Sequence, residues 1–188
     1  MTLTVLEPKP ALVVIDLQKG TVSSHTDPSL DAVVKQAANL ATAFRRHGLP
    51  VVLVNVTGRA PGRTEADWSA GASAPLPGWA DLIDELDIQP DDHLITKRRR
   101  SAFHDTGLDT LLRDLGVTQV VLAGVATSAG VESSARSAYD YGYHVVLATD
   151  AMTDIDPVAH ANSIEHIFPK LGETATSAEI LDMLGKTQ

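Results

Sequence analysis

Apolar residues in this chain follow two alternating rhythms: short unbroken runs, and longer stretches in which they recur every three or four positions. Residues 11–17 (ALVVIDL), 51–56 (VVLVNV) and 120–123 (VVLA) are of the first kind and predict strands buried on both faces of a sheet. Residues 93–97 and 143–149 extend the series, the latter ending at Asp150, and 173–176 predicts a short edge strand. Residues 29–47 are of the second kind, placing Leu30, Val33, Val34, Ala37, Leu40, Ala41 and Phe44 at helical spacing, with Gly48 as the stop. Helices are also predicted over 79–86, 105–115, 157–168 and 177–184. One more begins soon after Gly124, where Thr127 or Ser128 is the expected cap and Glu132 falls in the first turn. Strands that alternate with helices imply right-handed crossovers, a parallel sheet, and helices on both of its faces. Residues 57–77, rich in Gly, Pro, Ala and Ser, have no period of their own and predict a long loop of the kind that serves as a lid or binding loop.

Composition narrows the class. At 188 residues the chain is long enough for one domain with a full core, and a single domain spanning 1–188 is expected. No apolar run nears the roughly 20 residues needed to cross a bilayer, and the amino end lacks the pattern of a secretory signal, so no membrane partner and a cytoplasmic location are expected. Cysteine is absent, which excludes disulfides, thiolate metal sites and a cysteine nucleophile. A net charge of -9 argues against nucleic acid as a partner, because such binding draws its affinity from neutralised phosphates. The basic run Lys97, Arg98, Arg99 and Arg100 therefore has a local purpose, and a small anionic molecule is the ligand it suits.

The candidate chemistry lies where strands end. Asp16 follows four apolar residues, so its carboxylate is expected half-buried at the sheet rim, where it serves either as a catalytic acid or as a hydrogen-bond acceptor for a neighbouring loop. Lys97 closes another strand and suits a counter-ion or carboxylate clamp. The seven histidines show no metal-ligand spacing, so neither a metal nor another cofactor is assigned. ATSAG at 126–130 is a near miss to the nucleophile elbow G-x-S-x-G, with Asp150, Asp154, His160 and His166 downstream; Ala126 in place of its first glycine speaks against a Ser128 triad.

Taken together, VVIDLQ at 13–18, ITKRRRSAF at 95–103 and GVATSAGVESSARSAYDYGY at 124–143 resemble the isochorismatase-like hydrolase superfamily, in order and spacing, over nearly the whole chain. The resemblance implies a three-layer α/β/α sandwich, Rossmann-like, with a six-stranded parallel sheet and a homodimer or homotetramer. It also implies a cis peptide between Val125 and Ala126. Most members open amides with a thiolate at the start of the central helix. That position here is Gly130, so no acyl-enzyme can form. Isochorismatases proper also place glycine there and hydrolyse a vinyl ether without a nucleophile. By that resemblance Asp16, Lys97 and Gly130 form the catalytic centre, Asp16 protonates carbon, and Lys97 and Arg99 hold carboxylates. Gln18, Arg100, Phe103, Ala126, Thr127 and Ser128 line the pocket. Where those enzymes resemble GVYAH this chain has GVATS, and Arg98 and Arg100 replace aromatic residues around Arg99. Three functions follow for comparison: non-covalent hydrolysis of a small anionic vinyl ether, amide or ester hydrolysis through Ser128 or activated water, and a catalytically silent binding or scaffold role.

Overall fold

The strands are β1 Pro10–Ile15, β2 Val51–Val56, β3 His93–Lys97, β4 Gln119–Val125, β5 His144–Thr153 and β6 Glu173–Ala175. In the computed structural model, which describes residues 3–24, 29–65 and 76–186, they form one six-stranded sheet in the order β3-β2-β1-β4-β5-β6. All neighbouring pairs run parallel. The helices are α1 Lys19–Val22, α2 Leu30–Arg46, α3 Leu108–Asp114, α4 Glu132–Asp140, α5 Pro157–Asn162 and α6 Ser177–Lys186. Side chains of a strand alternate between faces, and both faces here are covered. Leu12 and Val14 of β1 pack with Leu40, Ala41 and Phe44 of α2 and Ile180 of α6. Ala11, Val13 and Ile15 pack with Leu108 and Leu112 of α3 and Ala135 and Ala138 of α4. The unbroken apolar runs thus reflect a strand with no wet side.

Four elements depart from the sequence expectation, each for a local reason. No helix spans 79–86; a single 3-10 turn covers Asp84–Leu86. The backbone just before it is spent on pairing with the stretch after β1: Lys19 donates to the carbonyl of Asp81 at 2.8 Å, Gly20 to Trp79 at 2.9 Å, and Ile83 to Leu17 at 3.1 Å. The helix expected from 105 starts at Leu108, because Asp105 and Gly107 take left-handed backbone angles. Strand β5 runs on to Thr153 through a shift in its register against β4 between Leu122 and Gly124, so Asp150 lies inside it. The helix expected over 157–168 is α5, then a wide helical turn Ser163–Ile167 and a 3-10 turn Phe168–Lys170, where Pro169 cannot donate to a helical ladder. Of the loop predicted at 57–77, residues 57–65 have no regular structure, and 66–75 lie outside the described residues.

Gly124 is where the sheet opens toward the site. Its φ is +112°, and a Cβ there would lie 2.0 Å from the carbonyl oxygen of Ile15, so no side chain fits without moving β1. Gly124→Ala is expected to cost roughly 3 kcal/mol or more of stability, measured by urea denaturation. An unchanged midpoint would mean that β1 and β4 have freedom which this packing denies.

Candidate active site

Asp16 sits one residue beyond β1, with φ at +52°, and its amide is held by the carbonyl of Val54 at 2.9 Å. The hydroxyl of Thr21 donates to its carbonyl, which fixes the bend that turns the side chain off the sheet's end. The Asp16 side chain is buried, and so is Lys97 at the end of β3. The Lys97 ammonium crosses the end of β2 to reach Asp16 Oδ2 at 2.7 Å and donates a second hydrogen bond to the carbonyl of Arg99 at 3.1 Å. Among the described residues, Asp16 Oδ1 is buried with no hydrogen-bond partner. Burial pushes the Asp16 carboxyl up to about 6, against the opposing pull of the Lys97 charge and hydrogen bond. A buried carboxyl with one free oxygen is costly for a fold to keep, and its raised pKa lets it hold a proton at a higher pH than an exposed aspartate does.

Position 130 lies against this carboxyl. After β4 and the cis peptide Val125-Ala126 comes a wide helical turn, Thr127–Val131, leading into α4. A Cβ added at Gly130 would be 3.1 Å from Asp16 Oδ2, 3.0 Å from Ile15 Cγ2 and 3.3 Å from the carbonyl of Val125. A side chain at 130 would therefore project from a point touching Asp16. Glycine leaves that space without a nucleophile, and Asp16, Lys97 and Gly130 form one contiguous group.

The other residues singled out in the sequence fall at varied distances from it. Neither Thr127 nor Ser128 caps the helix, whose preceding residue Ala126 has no capping side chain. The Thr127 hydroxyl instead lies 2.9 Å from His160 Nδ1. Ser128 donates both its amide, at 2.8 Å, and its hydroxyl, at 2.7 Å, to Asp154 Oδ2. Asp154, buried and also bonded to the amide of Asp156, is the anchor of this turn; in the amino-acid order it stands out only as one of the acids downstream of ATSAG. The serine hydroxyl thus meets a carboxylate, and the imidazole meets a different hydroxyl, so no Ser-His relay forms at Ser128. Gln18 is fully buried with its carboxamide spent: Oε1 accepts from the amide of Val56 at 2.7 Å, and Nε2 donates to the carbonyls of Val56 at 3.1 Å and Trp79 at 3.3 Å. It ties the ends of β1 and β2 to the following loop.

Phe103 is not brought to Asp16. Its ring stacks on Tyr141 and Tyr143 at centroid distances of 5.7 and 6.0 Å, and Tyr143 directly precedes β5, at the amino end of the sheet. Arg98 and Arg99 line a small cleft of about 140 Å³ with Thr96, His104 and Asp105, a lining that does not include Asp16; the Arg99 guanidinium donates to the carbonyl of Arg98 at 3.2 Å, and the Arg99 carbonyl is the group that Lys97 holds. Arg100 is exposed. Among the described residues no group of three or more His, Asp or Glu side chains could hold a metal ion, and no helix is long and apolar enough to cross a membrane.

This fold and these strand ends agree with a family model, the isochorismatase domain, which matches residues 10–179: the chain belongs to the isochorismatase family and is a hydrolase of that family. It is 39% identical to the uncharacterized isochorismatase family protein YwoC of Bacillus subtilis, over 97% of this chain and 98% of that one. An isochorismatase family protein from Burkholderia thailandensis, also 39% identical, superposes with a TM-score of 0.85 over 96% of this chain and 97% of that one. Maleamate amidohydrolase of Pseudomonas putida is 28% identical over 94% of this chain and 87% of that one.

The Asp16 carboxyl should respond to its neighbour in a defined direction. Lys97 lowers its pKa and burial raises it, so Lys97→Met is expected to move the midpoint above about 6. A carbon-13 titration of the Asp16 carboxyl would show this, and a fall toward the ordinary aspartate range would contradict the assigned causes. Because the folded value lies above the unfolded 3.8, the native state holds the extra proton between these two values. This group's contribution to stability is therefore present below pH 3.8 and is lost as pH rises through about 6.

Proposed function

We propose that the protein hydrolyses a small anionic vinyl ether without a covalent intermediate, isochorismate or a related enolpyruvyl compound being the substrate class. The observation that carries this reading is the buried Asp16 carboxyl, whose Oδ1 has no partner among the described residues and whose Oδ2 faces the side-chain-free position 130. A protonated carboxyl whose second oxygen has no partner is free to hand its proton to an entering group. Protonated at about pH 6 and below, Asp16 donates to the terminal methylene carbon of the enol ether, leaving an oxocarbenium ion. Water adds to the oxocarbenium carbon and loses a proton, the hemiketal collapses, and pyruvate and the ring alcohol separate. The proton released from water restores the Asp16 acid.

Lys97 has a role at each stage. While Asp16 is ionised, the ammonium pairs with it; once Asp16 is protonated, the same ammonium is released to pair with a substrate carboxylate. Arg99 and Arg100 supply guanidinium groups on the loop that Lys97 tethers, and Ala126, Thr127 and Ser128 shape the wall opposite. An acyl-transfer route finds less support, since no nucleophile stands at 130, the Ser128 hydroxyl is held by Asp154, and the His160 imidazole bonds Thr127 instead.

The test is turnover across a panel containing isochorismate, simpler enolpyruvyl ethers, maleamate and carbamoyl amides. Pyruvate release from an enolpyruvyl ether is expected, with kcat falling as pH rises through the pKa of Asp16. Asp16→Asn is expected to bind substrate and lose roughly 100-fold or more in kcat, the scale of a lost general acid. Turnover confined to maleamate or the carbamoyl amides, or near-normal activity in Asp16→Asn, would overturn the reading. Arg99→Ala is expected mainly to raise KM, as loss of a carboxylate anchor does; an unchanged KM would reduce the arginine run to a solvated loop.

A further inference from the structure

The arginine loop, residues 98–103, has no helix or strand to fix it, so its position over the site depends on side-chain hydrogen bonds. We propose that Ser134 is the positioning residue that holds this loop in register with the turn at Gly130. Ser134 is fully buried in α4. Its hydroxyl donates to the carbonyl of Gly130 at 2.7 Å and accepts from the amide of Ala102 at 2.9 Å. One oxygen thus joins the residue that faces Asp16 to the loop that carries Arg98, Arg99 and Arg100. A second bond runs beside it, between Ser101 Oγ and Ser137 Oγ at 2.8 Å, one turn further along α4. At the loop's other end Lys97 donates to the carbonyl of Arg99. The loop is therefore pinned between the catalytic ammonium and α4.

Alanine at 134 removes both bonds and leaves the Ala102 amide buried without a partner, a group that a fold moves to satisfy. The loop then drifts relative to Gly130 and carries Arg98 and Arg99 with it, while Asp16 and Lys97 keep their places. Ser134 acts through the loop and touches no reacting atom. This inference rests on the proposed role of the arginines in anion binding. It is tested without turnover, so that failure of the vinyl-ether reading and failure of the clamp give different results.

The probe is malonate, a plain dicarboxylate, titrated calorimetrically into the wild type, Ser134→Ala and Ser101→Ala. Ser134→Ala is expected to weaken malonate binding by about 5- to 10-fold, the scale of one lost hydrogen bond. It should also speed hydrogen exchange at the Ala102 amide and leave the carbon-13 midpoint of Asp16 in place. Ser101→Ala should weaken binding in the same direction by a smaller factor, which keeps the test alive if Ser134→Ala does not fold. Leu40→Val, in the core on the opposite face of the sheet, serves as the stability control and is expected to bind malonate as the wild type does. The clamp is overturned if the wild type fails to bind malonate, if neither serine variant weakens it, or if Leu40→Val weakens it as much as Ser134→Ala does.

Discussion

The site depends on one buried ion pair. Asp16 Oδ2 and Lys97 Nζ meet at 2.7 Å across the ends of three adjacent strands, in a place that costs each charge its water. Attraction seldom repays such burial in full, and the remaining deficit appears on the aspartate, whose carboxyl is pushed up to about 6 by burial in spite of the lysine. Neighbouring features serve to keep the pair in place. The left-handed bend at Asp16, the Thr21 hydroxyl on its carbonyl, and the amide bond to Val54 aim the carboxyl. The Gln18 carboxamide staples the ends of β1 and β2 directly below.

Glycine supplies what side chains would deny. Gly124 lets β4 run within contact of the β1 backbone just before the strands part, and Gly130 places no side chain against Asp16 Oδ2. The two glycines have different meanings: the first is a condition of the sheet and the second a condition of the chemistry. A larger residue at 130 would meet Asp16 Oδ2 at its first carbon.

Much of this was legible from the amino-acid order, and the reasons it was or was not are physical. The strands could be read because both faces of the sheet are dry, which leaves no polar alternation to blur an apolar run such as ALVVIDL. Asp16 and Lys97 could be found because a charge closing such a run is rare and needs a partner. Local periodicity misled at 79–86, where the backbone is claimed by long-range pairing with residues 17–20. Reading Ser128 as a cap failed for a similar reason, since a carboxylate 26 residues downstream claims both its amide and its hydroxyl. Phe103, adjacent in sequence to the arginine run, packs with tyrosines at the other end of the sheet. Short-range pattern shows what a residue prefers; these cases turned on which distant group reached it first.

Proton transfer from Asp16 to carbon is the central claim, and the product itself can record it. Hydrolysis of an enolpyruvyl ether in oxygen-18 water, followed by mass analysis of the ring alcohol, is expected to give an alcohol that keeps the unlabelled ether oxygen, because water adds at the oxocarbenium carbon. Oxygen-18 in the ring alcohol would mean attack at the ring carbon and would contradict carbon protonation, and with it the role assigned to Asp16.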